Sequence, residues 1–129
     1  MSWVDNALNA HATVLALRSE RSEIISGNIA NADTPNYKAR DIDFKREFQN
    51  RLSGLSAMQS TSEGHINVRP KNALGELLYR VPQHENEDGN TVEAETEQSL
   101  FTKNAAQYQV SLQFLSSKIR GLKLALKGE

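Results

Sequence analysis

The sequence predicts a mainly α-helical chain. Long N- and C-terminal helices pair as a coiled coil, and a largely irregular middle segment holds a short β element. Three observations carry this prediction. Apolar residues recur at heptad spacing near both ends, no proline interrupts the C-terminal stretch, and the residues between are polar and rich in turn formers. The resulting division is an N-terminal amphipathic helix over 1–32, a turn, linker and short β segment over 33–95, and a heptad helix over 96–129.

In the first segment Leu8, Leu15 and Ile29 share one heptad column, with Val4 and Ile25 beside it. His11, Arg18 and Ser22 interrupt the stripe, while Leu17 and Ile24 lie away from it. The apolar face carries helix to about Ala32. Pro35 then disfavours helical geometry at Thr34 and fixes its own φ as the first central residue of a tight turn. Asn36 follows in the slot where such turns need positive φ, which Asn tolerates. Beyond the turn, Ala39, Asp41 and Asp43 alternate with Arg40, Ile42 and Phe44, a short extended pattern.

Residues 49–64 read as a mobile linker or weak helix. Residues 77–81 suit a short strand ending before Pro82, and Asp88-Gly89 suits a hairpin turn within an acidic loop. The last segment is the strongest helix. Ala105, Leu112, Ile119 and Leu126 fall seven apart, and Phe101, Tyr108, Leu115 and Leu122 form the companion column. Acidic residues crowd its start and Lys118, Arg120, Lys123 and Lys127 its end, which favours the helix dipole.

Val110, Phe114 and Leu124 lie roughly opposite that seam. A helix in a simple hairpin wants one apolar stripe and a charged back. The second faces therefore either await neighbours or are covered by the middle segment folding back. Composition favours neighbours. Only 38% of the 129 residues are apolar, against ~45–50% for a typical globule.

Net charge is −1 with a pI near 6.3, which gives no basic field for nucleic acid. There is no cysteine and no apolar run of membrane-spanning length, and Met1 to Asp5 do not read as the basic-then-apolar start of a secretory signal. His11, His65 and His84 have no second ligand at metal spacing, and the Asp41/Asp43 pair lacks a third carboxylate. No phosphate loop or nucleophile elbow is present. The expectation is a non-enzyme with no cofactor, metal or small-molecule substrate. Asn28, Asn31 and Asn104 are polar amides on apolar faces, suited to fixing helix register. Asn28 and Asn31 are expected to bond near the Thr34–Tyr37 turn.

Asn28, Asn31, Thr34, Pro35, Asn36 and Tyr37 together resemble the Asn-x-x-Asn-x-x-Thr-Pro-Gly-Tyr signature of bacterial flagellar rod and hook proteins. The continuation through Asp41, Asp43 and Phe44 resembles the proximal rod members. Leu77 to Pro82, Asp88 to Val92, and Asn104 with Tyr108 and Gln109 follow in that family's order. Asn36 stands where the family usually has Gly, and Glu93 where Asp is common. The resemblance implies a structural subunit of the proximal rod, in the periplasmic part of the basal body. It implies packing with copies of itself and other rod proteins, and contact with a rod-base adaptor and a membrane-embedded ring protein. It also implies export by the flagellar type III apparatus without a cleaved signal peptide. The interface expected for such packing is Leu8, Leu15, Ile25, Ile29, Phe101, Tyr108, Leu112, Leu115, Ile119, Leu122 and Leu126. A small helical export chaperone or adaptor accounts for the amphipathic ends but leaves the Asn/Thr-Pro block unexplained.

Overall fold

A computed structural model describes residues 3–56, 77–84 and 86–128. Its elements run α1 (Trp3–Ala30), β1 (Arg40–Ile42), α2 (Phe44–Ser56), β2 (Leu77–Tyr79) and α3 (Ala94–Lys127). The two long end helices, with a two-stranded antiparallel sheet between them in sequence, are the architecture the periodicity predicts. Part of the 49–64 stretch and the residues up to 76 lie outside the described set.

α1 and α3 run antiparallel. Asn28 meets Glu97, Ser22 meets Asn104, and Arg18 meets both Asn104 and Gln107, so rising numbers on one helix match falling numbers on the other. The strands pair Arg40 with Tyr79, Asp41 with Leu78 and Ile42 with Leu77. Arg80 N–H extends the ladder to Ala39 O at 2.9 Å. β1 and α2 lie against α1 on one face of the helix pair.

Two local expectations are corrected. Phe44 does not extend the strand. Asp43 caps a helix there, with Arg46 N–H donating to Asp43 Oδ1 (3.1 Å) and Glu47 N–H to Asp43 O (2.9 Å). Phe44 and Phe48 then stack one turn apart on that helix, ring centroids 6.3 Å apart. Asp88-Gly89 does form a turn, with Gly89 at φ +73° and its N–H on Asn86 O. It joins β2 to α3, however, and not two strands of one hairpin, because β2 pairs with β1.

The Pro35 turn is as expected. Asn36 has φ +60°, and Tyr37 N–H closes onto Thr34 O at 3.3 Å. α3 starts after Glu93, whose carboxylate makes no cap bond to the helix backbone. It turns back instead to accept from the N–H groups of Gln83 and His84, holding the exit from β2.

A polar hub and a bare helix

The core is small and gathered at one end. Leu17, Ile25, Ala39, Ile42 and Val92 are its buried apolar residues, and Asn28, Asn90, Glu97 and Asn104 are buried with them, none more than 1% exposed among the polar four. Burying a polar group costs stability unless it is hydrogen-bonded, so each needs partners.

Asn28 uses its amide as a second peptide. Its Nδ2 donates to Arg40 O (2.7 Å) and its Oδ1 accepts from Arg40 N–H (3.1 Å), docking β1 onto α1. The same Nδ2 reaches Glu97 Oε2 on α3 at 3.2 Å. Asn31 Nδ2 bonds back to Gly27 O, and its Oδ1 accepts from Thr34 Oγ1, so Asn31 bonds at the turn while Asn28 reaches past it.

Charge completes the hub. Arg21 of α1 forks onto both oxygens of Asp41 (2.9 and 2.8 Å). Arg80, just after β2, bridges Asp41 Oδ2 (2.6 Å) and Glu97. Two guanidinium groups and two carboxylates thus join α1, both strands and α3 with no net charge. Burial pushes Asp41 up, but the Arg21 hydrogen bond and charge, the Ile42 N–H and Arg80 outweigh it and hold the carboxyl below its usual range. For Glu97 burial wins and raises it, against the Asn28 hydrogen bond and the Arg80 charge.

Asn90 closes the end of α1. Its Nδ2 lies 2.7–3.0 Å from the carbonyls of Asn31, Ala32 and Thr34, and its Oδ1 accepts from Val92 N–H at 2.7 Å. These carbonyls lie in the turn that follows Ala30, and a residue far along the chain supplies their donor.

Away from the hub the helix pair changes character. The face of α3 turned to α1 carries Glu97, Asn104, Gln107 and Ser111 before Leu115 and Leu122. Asn104 Nδ2 donates to Arg18 O and Ser22 Oγ, and Arg18 Nη1 to Gln107 Oε1 (2.7 Å), so the seam begins with polar bonds. Leu8, Leu15, Ile29, Leu115 and Leu122 are half-buried along it and Ile25 is fully buried. Phe101, Tyr108, Leu112, Ile119 and Leu126 are exposed, as are Val110, Phe114 and Leu124. The second face of α1 fares differently. Leu17 is buried and Ile24 half-buried, and α2 and β1 pack on α1. The middle segment thus packs on α1, while the second face of α3 is left exposed.

Thr34, Pro35, Asn36 and Asp43 are exposed, Tyr37 and Phe44 half-buried, and Arg18 stacks 4.6 Å over the Phe44 ring. Arg21, Arg80, Glu97 and Asn90 are what sequence reasoning missed. Scattered charges carry no spacing signal, although Asn90 sits within the Asp88–Val92 block that drew attention. Among the described residues no three His, Asp or Glu side chains gather as a metal site, and no helix is long and apolar enough to cross a membrane. Nothing in this arrangement places a nucleophile beside a base. Its polar groups tie α1, both strands and α3 to one another.

The profile of the family described as "Flagella basal body rod protein" matches residues 8–38, which span most of α1, the Pro35 turn and the approach to β1. The flagellar basal body rod protein FlgB of Cereibacter sphaeroides is 45% identical over 129 residues, covering all of both chains. That of Aeromonas hydrophila is 45% identical over 97% of this chain and 96% of its own. That of Escherichia coli is 42% identical over 92% of this chain and 91% of its own. At such identity along its whole length, the chain belongs to the FlgB family of flagellar basal body rod proteins.

Proposed function

We propose that this chain is a structural subunit of the proximal rod of the bacterial flagellar basal body, packing with other rod proteins into a hollow shaft that carries motor torque. The observation that supports it most directly is the bare outer side of α3. Eight large apolar residues between Phe101 and Leu126 are at least 36% exposed. A row of that length is what soluble monomers avoid and what an assembly covers. Its mechanism is mechanical, with interlocked helices in place of reactive groups. The full-length relatives carry rod-protein names, which leaves the chaperone alternative without support.

The finer parts of this reading extend the same logic. The subunit contacts a rod-base adaptor and a membrane-embedded ring protein on one side and further rod proteins on the other. It reaches the periplasmic space through the flagellar type III export apparatus. The expected interface residues on α3 are Phe101, Tyr108, Leu112, Ile119 and Leu126, with Leu115 and Leu122 bracing the helix against α1. Complementation in a flagellated cell lacking its own copy tests the reading. The wild-type chain restores swimming and intact basal bodies, whereas Ile119→Asp yields soluble protein and no rod. Failure of the wild-type chain to enter basal bodies overturns it.

A further inference from the structure

We infer that the open edge of β2 is a docking site for an extended acidic peptide of another protein, which joins the β1–β2 sheet as a third strand. The site is separate from the apolar row of α3 and does not depend on the rod-subunit reading.

In an antiparallel ladder, pairs that exchange hydrogen bonds alternate with pairs whose peptide groups point away from each other. Arg80 N–H donates to Ala39 O, so 39 and 80 are of the exchanging kind, and 41 and 78 with them. The peptide groups of Arg40 and Tyr79 therefore point outward, on opposite edges of the sheet. The two edges are treated differently. Arg40 N–H and C=O are taken by the Asn28 amide, which closes the β1 edge against α1. On the β2 edge, no described residue hydrogen-bonds to the peptide groups of Tyr79 or Val81. That open stretch has a defined end. Pro82 has no N–H, and the next two N–H groups, of Gln83 and His84, are capped by Glu93. Proteins commonly blunt an exposed strand edge with charge or proline along it, because a bare one accepts another strand. Here the residues at the outward alternation are Leu77, Tyr79 and Val81, with Tyr79 68% and Val81 88% exposed.

Charge selects the occupant. Arg40 and Tyr79 lie opposite each other on one sheet face, and the Arg40 guanidinium stands 5.7 Å from the centre of the Tyr79 ring. Arg21, Arg51 and Arg80 each hold a carboxylate. Arg40 is exposed, and among the described residues no carboxylate pairs with it. A strand added beside β2 sets one side chain against Tyr79 on that face, within reach of the guanidinium. A carboxylate there gains an ion pair. Side chains two positions to either side meet Leu77 and Val81, which apolar groups suit. Main-chain bonds supply the affinity and these three positions the selectivity, as in strand addition generally. The matching sequence is apolar, any, acidic, any, apolar in extended form. A second copy of β2 is the wrong occupant. Paired about Tyr79, it brings two Arg40 guanidinium groups together, and facing like charges destabilise a sheet.

The probe is a synthetic peptide, Lys-Thr-Val-Thr-Glu-Thr-Val-Thr-Lys, whose palindromic order serves either strand direction. It is titrated into the full-length isotope-labelled protein. With free peptide at about ten times its dissociation constant, the Tyr79 and Val81 amides are expected to exchange about tenfold more slowly. Arg80 N–H, already bonded to Ala39 O, stays as it was. N-methylation of the peptide groups that face β2 weakens binding about tenfold with every side chain intact. A central lysine in place of the glutamate weakens it about fivefold, and Arg40→Glu recovers most of that loss. That replacement keeps the main-chain bonds to Asn28. Three results each overturn the inference: no binding at millimolar peptide, binding indifferent to N-methylation or to the central charge, and protection of the Tyr79 amide that rises with protein concentration in the absence of peptide. Rod membership is read from complementation and stands or falls separately.

Discussion

The two halves of the α1–α3 pair solve different problems. Between Leu17 and Asn28 on α1 and between Glu97 and Asn104 on α3, the side chains that face the hub are buried or half-buried and bonded. Beyond Asn104 no described residue of α3 is fully buried. The first half specifies one arrangement of four elements. The second half is a pair of helices along which the large apolar residues of α3 stand exposed. Specificity and stickiness are thus kept apart, and a subunit built this way can hold its register before it meets a neighbour.

The contrast yields predictions that differ by region. The largest effect is expected at the hub. Arg80→Ala leaves Glu97, 1% exposed, without its cationic partner, and removing one member of a buried pair costs about 3–5 kcal/mol. Arg80 and Asp41 retain some water contact, so the lower end is expected in urea unfolding. A loss under about 1 kcal/mol would mean that the network is dispensable. Asn90→Ala removes the donor shared by three carbonyls of the turn after α1 and the acceptor for Val92 N–H, for about 2–3 kcal/mol. Amide exchange at the end of α1 and at Val92 should speed up before the rest of the helix.

Acid separates the two hub carboxylates. Asp41 is depressed in the folded state, so its contribution is present above the ordinary aspartate value of about 3.9 and is lost as pH falls below it. Glu97 is raised, so its charged form carries a cost that disappears as it takes up a proton on the way down to its ordinary value of about 4.3. Stability should hold or rise slightly on acidification to that point and fall only beyond it. Asp41→Asn should make the final fall shallower, and Glu97→Gln should remove the earlier rise. Both are read from unfolding midpoints against pH. The smallest effect lies in the other half. Ile119→Asp, at a site 50% exposed, should change monomer stability by no more than about 0.5 kcal/mol while abolishing assembly. A large loss of monomer stability would place Ile119 inside the fold.

What the sequence disclosed follows the range of each interaction. The Pro35–Asn36 turn is local chemistry and reads directly, φ included. The length of α3 reads from its uninterrupted heptads. Its rotation does not, because periodicity ranks faces by apolarity, whereas Asn104 and Gln107 turn inward to meet Arg18 and Ser22, partners about eighty residues away in sequence. α2 left a weak signature in the Asp43 cap and the Phe44–Phe48 and Glu47–Arg51 spacings, all helical, but the alternation before it pointed to strand. The hub joins positions 21, 41, 80 and 97, and even its two nearest charges in sequence, Arg80 and Glu97, are 17 residues apart.

Asn90 gives the molecule a short circuit for force. Because that single amide grips the turn that ends α1 while its own peptide neighbours lead into α3, a twist imposed on one helix passes to the other across a few ångströms of hydrogen bond. It need not run through the whole of the chain between them.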